Sequence, residues 1–447
     1  MNEHNHWQIS CFSFFKLTSH RKFRRAGMQR FSDNRSSYSA RCTGSRLSLL
    51  ALCAFPAFVV AGPSAYDADF LQQARYWEAG PVRIYPVVAA GVGYDSNIFE
   101  SSQHEVGSRV TRVAPEVSAL LPFNAGAVQL GAQANAMRYA ESSDDNYVDR
   151  SFFGRANLEA GSRNRFNLNA AINSGHDPRG TVLTEGLDPE TTTINSPDAY
   201  TDKVAGLKYE FGAKTAIGRV RLATDYLGHN YDNHRDRTRF FDRDEFGYGA
   251  TFLWRVFPST SLAFEGRERR IKYDEQQPGE PALDSREHSA LIGAEWEMTD
   301  ITSGSFRIGH RTKNFDAPER TDGSNFVWEA AVKWAPLTYS RFELTLERRP
   351  NETNGFGDFI DTRSYGVKWT HDWLKRLSTE VALGYTDQSY QSAERDSKIK
   401  SAQAGLRYEM RHWLIWHLDA TWRNRHSQLD VLDFERNRYW LTAEFRL

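Results

Sequence analysis

A rhythm of strands constrains this chain more than any other feature. From residue 82 to residue 447, runs of alternating apolar and polar residues are joined by short and long connections taken in turn. Val113, Pro115, Val117, Ala119 and Leu121 alternate up to the turn PFNAG, and Val128, Leu130, Ala132, Ala134 and Ala136 lead away from it. The polar stretch ESSDDNYVDR follows. Phe152, Gly154, Ala156 and Leu158 then run to the turn GSRNR, and Phe166, Leu168, Ala170 and Ile172 run back. Period two marks a strand with two unlike faces. Helical spacing is confined to YDADFLQQARYWE, residues 66–78, where a short helix is expected.

The two kinds of connection select among all-β architectures. GAKTAIG, VFPST, TDITS, APLTY, DWLKR and MRHW are short, whereas YDNHRDRTRFFD, DEQQPGEPALDSR and the 25-residue stretch at 176–200 are long. Propellers and sandwiches do not segregate turns and loops this way; outer-membrane barrels do, with short periplasmic turns and long extracellular loops. The expected fold is all-β, a closed antiparallel transmembrane β-barrel of about 18 strands, with 16 as the alternative count. Strands of 9 to 13 residues are expected, enough for a tilted membrane crossing.

The faces fit that solvent. Phe246, Tyr248, Ala250, Phe252 and Trp254 form one apolar row; Phe326, Trp328, Ala330, Val332 and Trp334 form another; Leu414, Trp416, Leu418, Ala420 and Trp422 a third. Opposite them lie Glu245, Gly247, Gly249, Thr251, Glu329, Lys333, His417, Asp419 and Arg423. A dry core would not accept those groups without partners, whereas a wet lumen does. Aromatics reach 13% of the chain although mean hydropathy is −0.62, which excludes a bundle of membrane helices. Phe123, Phe211, Trp254, Phe257, Trp296, Trp334, Tyr339, Trp373 and Trp413 sit beside short turns, as a periplasmic aromatic girdle requires.

The N-terminus reads as an export signal. LSLLALCAFPAFVV, residues 47–60, follows Arg41 and Arg46 and precedes small residues. It is too short for a spanning helix and has the pattern of a signal peptide, with cleavage expected after Ala61. The expected organisation is an extension and signal at 1–61, a short periplasmic segment at 62–81 and the barrel at 82–447. Met28 is an alternative start. Cys11, Cys42 and Cys53 all precede the cut, so no disulfide framework is expected. Nine of 56 basic and two of 57 acidic residues also precede it, leaving a net charge of −8. No basic face for nucleic acid is indicated.

The stretch GVGYDSNIF, residues 91–99, and the later HDPRG, residues 176–180, resemble recurrent elements of the putative β-barrel porin 2 family. Within it the chain is similar to the EpsL-type outer-membrane proteins of extracellular polysaccharide biosynthesis. The resemblance covers residues 62–447 and implies an outer-membrane channel for polysaccharide export. The end Phe445-Arg446-Leu447 departs from the terminal Phe or Trp of many such barrels.

Candidate chemistry is electrostatic. Arg267, Arg269, Arg307, Arg311, Arg341, Arg363, Arg407 and Arg423 fall on expected lumen positions, interleaved with Glu265, Glu295, Glu329 and Glu343. Arg425 belongs to the same set. Two readings stand side by side: a pathway for an anionic or heavily hydroxylated polymer, and an ion-pair network that shapes the lumen. Asp95 and Asn97 read more simply as Asx side chains bonding their own backbone than as Ca²⁺ or sugar ligands, because a calcium loop needs a closing Glu and position 106 is Val. His229 and His234, near Asp225, Asp232 and Asp236, read less readily as a metal or protease-like site than as a solvated loop. No GxSxG, HExxH or CxxC occurs after residue 61, so no catalytic residue, metal or cofactor is expected. Expected partners are membrane lipid and lipopolysaccharide, an anionic polysaccharide and periplasmic export machinery, and no nucleic acid. The alternatives are a porin for small solutes and a non-conducting surface-anchoring barrel.

Overall fold

The computed structural model describes residues 76–299 and 301–447. The expected signal peptide and most of the expected helix at 66–78 lie outside them. The first described element is a short strand, β1 (Trp77–Ala79), turned by Gly80 and Pro81 onto the next, with Trp77 opposite Ile84. The C-terminal end of the expected helix is therefore extended: a backbone ladder holds Trp77 and Glu78, and Gly80 at φ +61° makes the turn.

Eighteen long strands follow. They begin with β2 (Val82–Asp95), β3 (Ser108–Phe123), β4 (Gly126–Tyr139), β5 (Tyr147–Ala160), β6 (Asn164–Asp177) and β7 (Asp198–Phe211). Next come β8 (Gly218–Tyr231), β9 (Arg243–Phe257), β10 (Thr260–Tyr273), β11 (Ser285–Thr299), β12 (Thr302–Phe315) and β13 (Gly323–Leu337). The last six are β14 (Ser340–Glu352), β15 (Phe359–Leu374), β16 (Leu377–Tyr390), β17 (Asp396–Arg411), β18 (Leu414–Ser427) and β19 (Phe434–Arg446). Each pairs antiparallel with the next, and β19 pairs back onto β2, with Leu441 opposite Val92. The sheet is thus a closed barrel of 18 strands. Closure is what lets the strands sit in hydrocarbon, because no edge is left to expose peptide groups around the apolar band.

The strands are longer than the apolar alternation suggests, 13 to 16 residues against the expected 9 to 13. Their outer ends are polar yet still laddered. The long loop expected at 176–200 shrinks to residues 178–197, because His176 and Asp177 pair with Ala199 and Asp198. A ladder needs only paired backbones; an apolar row is needed only where lipid touches it.

Large apolar side chains point away from the barrel. Val92, Leu130, Phe152 and Leu418 are 58%, 59%, 61% and 56% exposed. Such a surface on a water-soluble protein would drive aggregation; around a barrel it is the lipid-facing band. Near the short turns Phe123, Phe257, Trp334, Trp373 and Trp413 are exposed, and Trp334 stacks on Phe342 at 5.2 Å. Among the described residues the interior is mostly polar, with a small buried aliphatic patch of Leu253, Ala263, Leu291 and Val327 on the inner wall. In β2, Val88, Ala90, Val92 and Tyr94 share the outward row, and Gly91 and Gly93 face inward. A Cβ on Gly93 would lie 2.7 Å from the Trp440 ring and 2.6 Å from the Tyr439 carbonyl, so the bare face makes room for an inward indole.

Candidate functional site: a charged lumen beneath a clasped loop

The inward faces of β6 to β13 carry one continuous chain of ion pairs. Arg165 reaches Glu210 at 2.7 Å, and Arg219 and Arg221 meet the same carboxylate at 2.7 and 2.9 Å. Arg221 also grips Glu295 with both nitrogens, at 2.7 and 3.1 Å. Arg307 joins Glu295 to Glu265, the latter at 3.2 Å. Arg267 links Glu265 at 2.6 Å to Glu329 at 2.7 Å, and Arg311 ends the series on Glu329 at 3.4 Å. Forked guanidinium–carboxylate pairing fixes direction as well as distance.

Gly247 and Gly249 leave part of the lumen face of β9 bare. A Cβ on Gly249 would lie 3.2 Å from Arg267 Cγ, and one on Gly247 would lie 2.7 Å from Asp225 Oδ1. Side chains from the flanking strands occupy that space. A second cluster lies nearer the mouth, where Arg269 meets Asp225 and Glu245, both at 3.1 Å, and Arg243 meets Glu245 at 3.0 Å.

At the mouth, the segments GVGYDSNIF and HDPRG come together. Asp95 takes a fork from Arg436, with Nε donating to Oδ1 at 2.9 Å and Nη2 to Oδ2 at 2.5 Å. Asn97 is fully buried; its amide donates to the Ser101 carbonyl at 2.8 Å, and its oxygen accepts from the Ser101 N–H at 3.1 Å. That turn presents Phe99. The Arg179 guanidinium lies 4.4 Å over its ring while donating to Asp145 at 2.8 Å. Gly180, at φ +80°, backs onto the Phe99 carbonyl so closely that a Cβ there would fall 1.6 Å from the oxygen. Glycine is required twice over, by conformation and by space.

From this root, loop 178–197 crosses the mouth. Glu185 accepts from Arg425 on β18 at 2.8 Å, from Asn354 in the β14–β15 loop at 2.7 Å, and from Arg395 in the β16–β17 loop. By the shorter way round the ring, β18 lies six strands from β6 and β14 eight. Glu100, in the β2–β3 loop, pairs with Arg436 at 2.9 Å and with Arg423. Burial pushes the Glu100 carboxyl up, but Arg423, Arg436 and Arg425 outweigh it and hold it below the usual carboxylate range.

A family model described as Putative beta-barrel porin 2 matches residues 77–447. The chain belongs to that family. As a porin-family barrel it is a protein of the outer membrane. No curated protein matches its sequence. Among solved structures it is similar to the outer membrane protein OpdK of Pseudomonas aeruginosa, at 11% identity and TM-score 0.44, covering 81% of this chain and 99% of that one. OccAB2 of Acinetobacter baumannii gives 10% and 0.44, covering 81% and 98%. The siderophore receptor PirA of A. baumannii gives 9% and 0.43, covering 81% and 80%.

Within this porin the residues singled out from sequence separate into groups. Glu265, Arg267, Glu295, Arg307, Arg311 and Glu329 share the ion-pair chain. Arg269 belongs to the second cluster, and Arg423 stands at the mouth on Glu100. Glu343 meets Lys368 at 3.3 Å on the lumen face, and Arg407 lies 3.6 Å from Glu409. Arg341 is at the periplasmic rim, exposed, on Asp372 at 3.0 Å.

Arg363 corrects the reading. It shares the outward row with exposed Tyr365 and Val367, and it pairs there with Asp387 at 3.3 Å. The row turns from apolar to charged where it leaves the hydrocarbon, so a charge within a strand does not by itself mark the lumen. The histidine cluster also separates: His229 meets Asp202 at 2.7 Å and His234 meets Asp198 at 2.6 Å, neither with Asp225, Asp232 or Asp236. Among the described residues, no group of His, Cys, Asp and Glu is arranged to hold a metal ion.

Sequence reasoning missed Arg165, Glu210, Arg219 and Arg221. Their signal was present, since they alternate with Phe166, Tyr209, Val220 and Leu222 on strands whose faces could be read. Glu185 and Arg395 lie in loops without period, where sequence carries no such signal.

Proposed function

We propose that this outer-membrane barrel is a channel through which an extracellular polysaccharide leaves the cell. The observation that carries the reading is the ion-pair chain from Arg165 to Arg311, in which each carboxylate is shared by two or more guanidinium groups. An acidic or hydroxylated chain exchanges for one partner at a time along such a track, so no site binds it too tightly to release. The modest excess of guanidinium over carboxylate groups suits an acidic chain, and the interleaved glutamates distinguish this path from a strongly anion-selective pore lined by cations alone. On the outer wall, exposed Arg109, Arg138 and Arg270 lie above the apolar band and suit the phosphates of lipopolysaccharide.

Conductance in planar bilayers tests the reading. Block by an acidic oligosaccharide such as oligogalacturonate, with no block by acetate at equal charge, is the expected result. Equal block by both would favour a small-solute porin. An absence of current would favour a non-conducting anchoring barrel and end the channel reading.

A further inference from the structure

The barrel wall is not paired along its whole height. Between β13 and β14 the ladder runs from Leu337 opposite Ser340 up to Glu329 opposite Glu347, and stops. Above that point, residues 323–328 of β13 pair with β12 alone, and residues 348–352 of β14 pair only with β15. Pro350 stands in this stretch and has no N–H to give.

The outer end of β14 has left the wall. Glu352 accepts from Lys313 of β12 at 2.5 Å and from the Tyr273 hydroxyl of β10 at 2.8 Å. β10 is four strands from β14, roughly 19 Å of wall at 4.8 Å per strand. A tyrosine and a glutamate meet over that span when the strand end leans into the lumen. The Phe359 ring of β15 fills the vacated place: a Cβ on Gly323 of β13 would lie 2.6 Å from it, so β15 touches β13 past β14.

One side chain bridges the parted strands. Arg348 donates to Asp361 of β15 at 2.7 Å and to Asn325 of β13 at 3.1 Å, and lies 5.6 Å over the Trp328 ring. Above it Arg320 holds Asp358 at 2.7 Å. The outward row of β14 changes from Phe342, Leu344 and Leu346 to Arg348 just where pairing ends. On β13 the same stretch carries the outward rings of Phe326 and Trp328, the top of its apolar row; aromatic rings beside a charged Arg348 are the residue types of the lipid–water interface, where water can satisfy the peptide groups that hydrocarbon could not. Glu329, the last residue of β13 paired to β14, is also the carboxylate on which the lumen ion-pair chain ends. The axial way out, by contrast, is crossed by loop 178–197, which Glu185 ties to Asn354 at the tip of the same β14–β15 hairpin.

We infer that the lumen opens to the cell surface sideways, through the β13–β14 seam, with Arg348 as its latch. The inference rests on the channel reading above. A hydrophilic chain carried along the ion pairs would leave from Glu329 into the headgroup layer, not through the mouth.

Two crosslinks test it in the full chain, with Cys11, Cys42 and Cys53 changed to Ser. N325C with R348C spans the seam; E185C with N354C spans the mouth. Each pair is closed by a reducible bismaleimide and reopened by reductant, so each protein is its own folding control. Bilayer current is the readout. Loss of current on closing the seam pair, with current retained on closing the mouth pair and restored on reduction, is expected. Current lost only with the mouth pair, or retained with both closed, overturns the side exit while leaving a channel. If neither uncrosslinked protein conducts, and the parent protein does not conduct either, the channel reading fails and the side exit falls with it.

Discussion

Replacing Glu185 by Gln removes the counter-charge of two buried arginines without changing side-chain shape. The Glu185 side chain is 6% exposed, Arg395 2% and Arg425 6%. The substituted amide can still accept from Asn354, but both guanidinium groups are left buried without that carboxylate. Breaking a buried pair from one side costs about 3–5 kcal/mol. Part of this is regained if the loop lifts and lets water reach the arginines, so the loss falls on docking of loop 178–197 and spares the barrel. At 1.4 kcal/mol per tenfold, 3 kcal/mol shifts the docked-to-lifted ratio by about 100-fold. The root of the loop stays, held by Arg179 on Asp145 and Phe99. Hydrogen exchange at the Thr184 amide, buried in the docked loop and bonded to the Thr181 carbonyl at 2.9 Å, reports the lifted population when closing is fast relative to exchange. E185Q should exchange about 100-fold faster there, with the heat-resistant mobility of the barrel unchanged. Equal exchange rates in the two proteins would refute the claim that this carboxylate holds the loop across the mouth.

Three other outcomes follow from the same structure. Glu100 is held below the usual carboxylate range in the fold, so its contribution to stability is fully present above about pH 4.3, the unfolded value, and is lost as pH falls through the lower folded value; the acid limb of a thermal-stability profile should flatten in E100Q. Leu418→Arg puts a charge on an outward position that is 56% exposed to lipid, which should lower unfolding free energy in bilayers by about 2–4 kcal/mol, and an unchanged urea midpoint would contradict the assigned face. Glu295→Gln leaves Arg221 and Arg307 sharing one less carboxylate; the reversal potential under a salt gradient should move toward anion selectivity, and no movement would place Glu295 away from the conducting path.

Most of the barrel was legible in the sequence. Strand existence, approximate strand number and the two faces follow from period two, because side-chain direction alternates strictly along a strand. The row Phe246, Tyr248, Ala250, Phe252, Trp254 against Gly247, Gly249 and Thr251 could be assigned to lipid and lumen before any coordinates. Charge alone failed at Arg363, since outward rows also turn polar once they rise above hydrocarbon. Strand length failed for a related reason: His176 and Asp177 look like loop and are ladder. Arg165 and Arg221 were within reach of the same alternation that picked out Arg267 and Glu329.

By itself the sequence determined a membrane barrel, its alternation of short turns and long loops, and the two unlike faces of its strands, since each of these depends on order along one strand. The likeness of GVGYDSNIF and HDPRG to family elements did not say what those stretches touch. Only the tertiary structure decided that Phe99 and Gly180 touch, that Glu185 ties loops from across the ring, and that β14 leaves the wall above Glu347. Those facts depend on which distant segments share space, and closing the ring through β19 and β2 brings together residues that no spacing along the chain connects.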